Sequence, residues 1–217
     1  MTAIGKTRWI TDTLLIIVCL VLPHTGIFPM FTYVLVILPL IWGYLKFYGE
    51  NFSSIGFRFK DLTLNSFLVG GSIGIAYGFF SLWIAAPLLS LLGFAPPNLT
   101  DFDFVRGNII SLLCLIAVAG ILVIPYEEIV FRGFIFTRLR VMFAGSKWPF
   151  WTSGLLLSAL FSMYHYQEGW GAMLSIFVGA VFSVWMYSVF NGNLWYLIFF
   201  HILYDVVMLS AIYLNYI

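Results

Sequence analysis

From Leu64 to Phe94 the chain runs for about 30 residues without one Asp, Glu, Lys or Arg. A helix needs roughly 20 apolar residues to cross a bilayer. A stretch this long is either a tilted span or two pieces bent near Ala86 and Pro87. It is not alone. Apolar runs also cover Ile10 to Pro23, Met30 to Phe47, a segment beginning near Ile109, and the segments 150–166, 170–190 and 194–213. The expectation is an all-α, polytopic transmembrane bundle of about seven spans, within a range of six to eight. It forms a single integral membrane domain over residues 1–217.

Charge explains why no soluble alternative fits. Only 9% of the 217 residues are charged and 62% are hydrophobic, with mean hydropathy +1.03. A soluble domain carries about 25% charged residues. Eight Trp and twelve Tyr suit headgroup regions, which favour amphipathic rings. No basic tract is present to follow phosphates, so nucleic acid is not an expected partner. Membrane lipids are.

The basic residues divide the segments. Arg8 and Lys6, then Lys46, Arg58 and Lys60, then Arg138, Arg140 and Lys147 all fall on one side of a seven-span chain; Arg106 dissents. The positive-inside rule makes that side cytoplasmic, with the N-terminus inside and a cell membrane as the location. The basic start followed by an apolar run resembles a signal peptide but lacks a small-x-small cleavage site, so it reads as a retained span. Cys19 and Cys114 lie far apart inside apolar runs and imply neither a disulfide nor a thiolate zinc site.

Ionisable groups within spans are costly, at least about 2.5–3.5 kcal/mol each on insertion scales, and call for a reason. Three segments carry them: Glu127, Glu128 and Arg132 in one, His165 in the next, His201 and Asp205 in the last. Glu128 and Arg132 stand four apart and share a helix face, so they can pair. Glu127 is rotated by about 100° and left available. His201 and Asp205 are also four apart, where a carboxylate can orient an imidazole. Taken singly, each has a bland account, as a helix-end ion pair, an interfacial histidine or a satisfied core histidine. Taken together, they point to one shared polar site. His24, in a short loop, keeps a structural reading.

In order along the chain, Glu127-Glu128-Ile-Val-Phe-Arg132 matches E-E-x-x-x-R, Phe161-Ser-Met-Tyr-His165 matches F-x-x-x-H, and His201-Ile-Leu-Tyr-Asp205 matches H-x-x-x-N/D. Over about residues 105–210 the chain resembles the CPBP family of CAAX proteases and bacteriocin-processing enzymes (Abi). The resemblance implies an intramembrane endopeptidase acting on a hydrophobic or lipid-modified peptide or protein. It assigns Glu127 as general base, His165 as a holder of water, and His201 with residue 205 as oxyanion stabilisers. Glu128 and Arg132 would support the site structurally. Asp205 departs from the usual Asn: an ionised Asp only accepts hydrogen bonds, so it is either protonated or serves to orient His201.

Family members are often labelled metalloproteases. Glu127, His165 and His201 could form a three-ligand zinc site with Asp205 behind it. Using Glu127 as a ligand removes the obvious base, and no H-E-x-x-H is present, so catalysis without a cofactor is favoured. Two other classes stay open at this level. An ion- or proton-coupled transporter also uses intramembrane acids and histidines, and a non-catalytic immunity or scaffold protein would bind a partner through the same cavity. One geometric condition follows. Glu127 and His165 can meet only if the fourth span continues through Phe136, burying Glu127, or if the fifth begins within the bilayer; the apolar GFIFTRL favours continuation.

Overall fold

The computed structural model describes residues 3–29 and 31–217; the expected start of the second span at Met30 lies outside the described residues. A helix covers each of the seven apolar runs: α1 (Ala3–Val21), α2 (Val34–Phe47), α3 (Leu64–Leu91), α4 (Ile109–Met142), α5 (Pro149–Tyr164), α6 (Trp170–Val189) and α7 (Leu194–Tyr213). No strand occurs among the described residues. By length and composition α3, α4, α6 and α7 can each cross a membrane, and α2 is a shorter apolar helix.

Local chemistry sets the helix starts. Thr63 caps α3 through the Ser66 amide, and Ser66 answers to the Thr63 amide. Asn108 caps α4 through Ser111, and Asn193 caps α7 through Trp195. Each side-chain oxygen satisfies a donor that the first helical turn leaves free. Pro149 opens α5, where a missing N–H costs nothing.

Prolines shape the two longest helices without ending them. Pro removes one helical hydrogen bond and its ring crowds the carbonyl four residues earlier. For Pro87 that residue is Trp83, and for Pro125 it is Ile121. Both lie in π-helical turns, Ser81–Ala85 and Ala119–Val123. The wider turn accommodates the ring, so α3 stays one helix through Ala86 and α4 runs on to Met142.

That continuation meets the condition on Glu127 and His165. Fifteen residues separate Glu127 from the end of α4, and sixteen separate the start of α5 from His165. At 1.5 Å per residue, the two arms of this antiparallel hairpin return His165 to the level of Glu127. Phe131 of α4 packs on Phe161 and Tyr164 of α5, with ring centroids 4.8 and 5.3 Å apart.

The distribution of polarity is inverted relative to a soluble protein. Leu14, Trp83, Ile110, Leu113 and Ile121 face outward, whereas Asp12, Glu127, Glu128, Arg132 and Arg138 are buried. An apolar exterior with an ionic interior suits lipid as solvent, and the chain is an integral membrane protein. Glu50, after α2, pairs with Arg138 of α4 (2.6 Å) and with Arg8 of α1. This gathers Arg8 and Arg138, from two of the expected cytoplasmic segments, around Glu50 of a third.

α7 is fixed by α3. A Cβ on Gly70 would overlap the Tyr196 carbonyl oxygen, one on Gly74 that of Phe200, and one on Gly78 would stand 2.8 Å from Val207 Cβ. Small residues let the two backbones approach this closely, which sets the axial position of His201 and Asp205. Gly74→Ala is expected to destabilise the protein by about 1–3 kcal/mol through overpacking. Gly43→Ala, where nothing lies within 4 Å of the new Cβ, should leave the thermal midpoint in detergent unchanged or raised.

Candidate active site

Glu127 and Glu128 end one helical stretch of α4 and begin an eight-residue π-helical one, Glu128–Ile135. All eight of those residues are buried. π turns recur at functional sites because they redirect side chains without breaking the helix. Arg132 Nη1 lies 3.2 Å from Glu128 Oε1, so the pairing expected from their spacing forms. With Glu128 1% and Arg132 2% exposed, it is an interior ion pair. The guanidinium also stacks on Phe161, 4.1 Å from the ring centroid.

The same Glu128 oxygen reaches a third helix. His201 Nδ1 is 2.9 Å from Glu128 Oε1, a hydrogen bond that spacing along α4 could not disclose. Arg132, Glu128 and His201 therefore form one polar chain. An Nδ1–H donated to Glu128 fixes how the ring is presented. Nε2 then faces the other two acids, 3.9 Å from Glu127 Oε2 and 3.7 Å from Asp205 Oδ1. The orienting hydrogen bond thus comes from Glu128, while Asp205 stands beyond hydrogen-bond distance at the far nitrogen. Glu127, 7% exposed, accepts no hydrogen bond among the described residues.

His165 sits just past the end of α5. Its Nδ1 is 2.9 Å from the Phe161 carbonyl oxygen. Donation there leaves Nε2 as an acceptor. The His165 and His201 rings both pack against Phe161, with centroids 4.8 and 6.5 Å away. Phe161 is thus the aromatic piece that the two histidines and Arg132 share. His24 is closer to the site than its loop position implies, edge-on to Tyr164 at 4.5 Å.

Glu168, in the turn between α5 and α6, was not singled out by the sequence. Burial, reinforced by the charges of Asp205 and Glu127, pushes its carboxyl up to about 7. It adds a further acid facing the site from outside the spans. Only its nearness to His165 in sequence could have pointed to it.

Glu127, His165 and His201 are the candidate ligands of the zinc alternative. Among the described residues no group of three or more His, Cys, Asp or Glu side chains is arranged to hold a metal ion.

Breaking a buried ion pair by removing one partner costs about 3–5 kcal/mol. Arg132→Gln is expected to reduce folded yield, read by size-exclusion chromatography in detergent. Glu128→Gln should reduce folded yield and also the turnover of each folded molecule, because it disturbs His201 as well. Normal turnover per folded Glu128→Gln molecule would confine Glu128 to a structural role.

No curated protein and no solved structure matches the chain. Residues 109–207, from the start of α4 to beyond Asp205, match the family model described as Rce1-like, Type II CAAX prenyl endopeptidase Rce1-like. All six residues of the polar site fall within that match. Over these residues the chain is similar to the Rce1-like endopeptidases, a match consistent with the CPBP family of CAAX-type intramembrane proteases.

Proposed function

We propose that the protein is an intramembrane endopeptidase that hydrolyses a peptide bond in a hydrophobic or lipid-associated substrate, using water activated by Glu127. The observation that carries this reading is the division of labour between adjacent acids. Glu128 is bound to Arg132 and His201, while Glu127 is buried, free of hydrogen bonds among the described residues, and beside His201 Nε2. A carboxylate in an apolar site is a stronger base than one in water.

In this reading, Glu127 takes a proton from water as the oxygen adds to the scissile carbonyl carbon. Nε2 of His165, left as acceptor by the bond to Phe161, holds that water. His201, protonated on both nitrogens among Glu127, Glu128 and Asp205, donates Nδ1–H to Glu128 and Nε2–H to the oxyanion. Glu127 then returns its proton to the leaving amine, and the C–N bond breaks. No step passes through a metal. Asp205 assists by stabilising the imidazolium rather than by donating to the oxyanion.

The family-level substrate is a prenylated peptide or protein in the membrane. Its chain would enter among apolar walls, while the expected basic, cytoplasmic end holds the N-terminus of the protein.

A positioned general base contributes about 10²–10⁴-fold and an oxyanion donor about 10²–10³-fold to rate. Glu127→Ala and His165→Ala should each abolish cleavage while leaving the bundle folded. The measurement is mass spectrometry of membrane peptides with wild-type and variant protein. Identical processing of every peptide by wild type and Glu127→Ala would replace this reading with transport or scaffolding. Loss of activity on chelation, restored by zinc, would replace the metal-free mechanism.

A further inference from the structure

Of the residues outside the motifs, Tyr126 is the one whose burial is hardest to account for by packing. It immediately precedes Glu127, its side chain is 0% exposed, and its hydroxyl makes no hydrogen bond of standard geometry among the described residues. Phe would fill the same volume without placing a polar group in the interior. A buried hydroxyl left unpaired is destabilising.

Two more phenols share the location. Tyr33, just before α2, packs edge-on to Tyr126 with centroids 5.5 Å apart. Tyr164, the residue before His165, presents its hydroxyl to those of Tyr33 and Tyr126. All three hydroxyls lie within electrostatic reach of the Glu127 carboxylate. Three donor-acceptor groups from three parts of the chain thus meet beside Glu127, which accepts no hydrogen bond among the described residues. Tyrosine hydroxyls both donate and accept, and internal water settles where about three such partners converge. Arg132 is turned away, toward Phe161 and Glu128, whereas the His24 and His165 rings pack on Tyr164.

We propose that the hydroxyls of Tyr33, Tyr126 and Tyr164 form an internal water-binding pocket behind Glu127, with Tyr126 a positioning residue for the water that Glu127 activates. Hydrolysis consumes one water for each bond cleaved, and a bundle with an apolar exterior has to hold that water on polar groups of its own. The positioning role rests on the peptidase reading above. The pocket does not.

Two measurements separate those claims. The first is X-ray hydroxyl-radical footprinting of wild-type protein in lipid nanodiscs, in which radicals arise from water already in place. Tyr126 is expected to be oxidised, whereas Phe131 and Phe134, equally buried at 0% exposure, are not. Tyr126 as inert as these two would overturn the pocket, whatever the protein's activity. The second is Tyr126→Phe. Losing one hydrogen bond to the reacting water should lower kcat about tenfold. KM should be unchanged and the thermal midpoint equal to or above wild type. Wild-type kcat in Tyr126→Phe, with Glu127→Ala inactive, would overturn the positioning role. Equal cleavage by wild type and Glu127→Ala would instead overturn the peptidase reading and the positioning role with it, leaving the footprint to decide the pocket.

Discussion

The fold and the site both depend on the chain from Arg132 through Glu128 to His201. Two charges taken into an apolar interior are expensive unless each finds a partner. Here Glu128 serves both a cation on its own helix and an imidazole on α7. That shared oxygen ties α4 to α7 at one height and leaves the neighbouring Glu127 uncommitted. The arrangement explains why two adjacent carboxylates carry different tasks. It also explains why His201 shows Nε2 and not Nδ1 to Glu127 and Asp205.

The remaining architecture delivers these groups to that height. π turns ahead of Pro87 and Pro125 let α3 and α4 stay long, the nearly equal arms of the α4–α5 hairpin bring His165 back to the level of Glu127, and the glycines of α3 lock α7 axially. None of these features touches a reacting atom. Each controls position along a helix, where a shift of one residue moves a side chain by 1.5 Å and rotates it by about 100°.

Much of this was legible in the sequence. The apolar runs, the sparse charge and the i, i+4 spacing of Glu128 and Arg132 led to a helical membrane bundle with an internal ion pair, and the three motifs led to a family with which the match over residues 109–207 is consistent. The contact between Glu128 and His201 was not legible, because no periodicity relates residues on different helices. Asp205, one turn from His201, looked like the orienting acid by the same spacing rule that succeeded for Glu128 and Arg132. Tyr126, Tyr164 and Glu168 were missed for a related reason. Tyrosines are ordinary in membrane helices and an acid is ordinary in a turn, so only their three-dimensional neighbours distinguish them.

The most direct test addresses the hydrogen bond on which the account turns. Nitrogen-15-labelled histidine can be observed by solid-state NMR in bilayers, with the His201 signal assigned by its loss in His201→Gln. The account predicts an Nδ1-bonded proton engaged by a carboxylate, altered by Glu128→Gln and preserved in Glu127→Ala. A His201 Nδ1 without a proton, or one indifferent to Glu128→Gln, would contradict it.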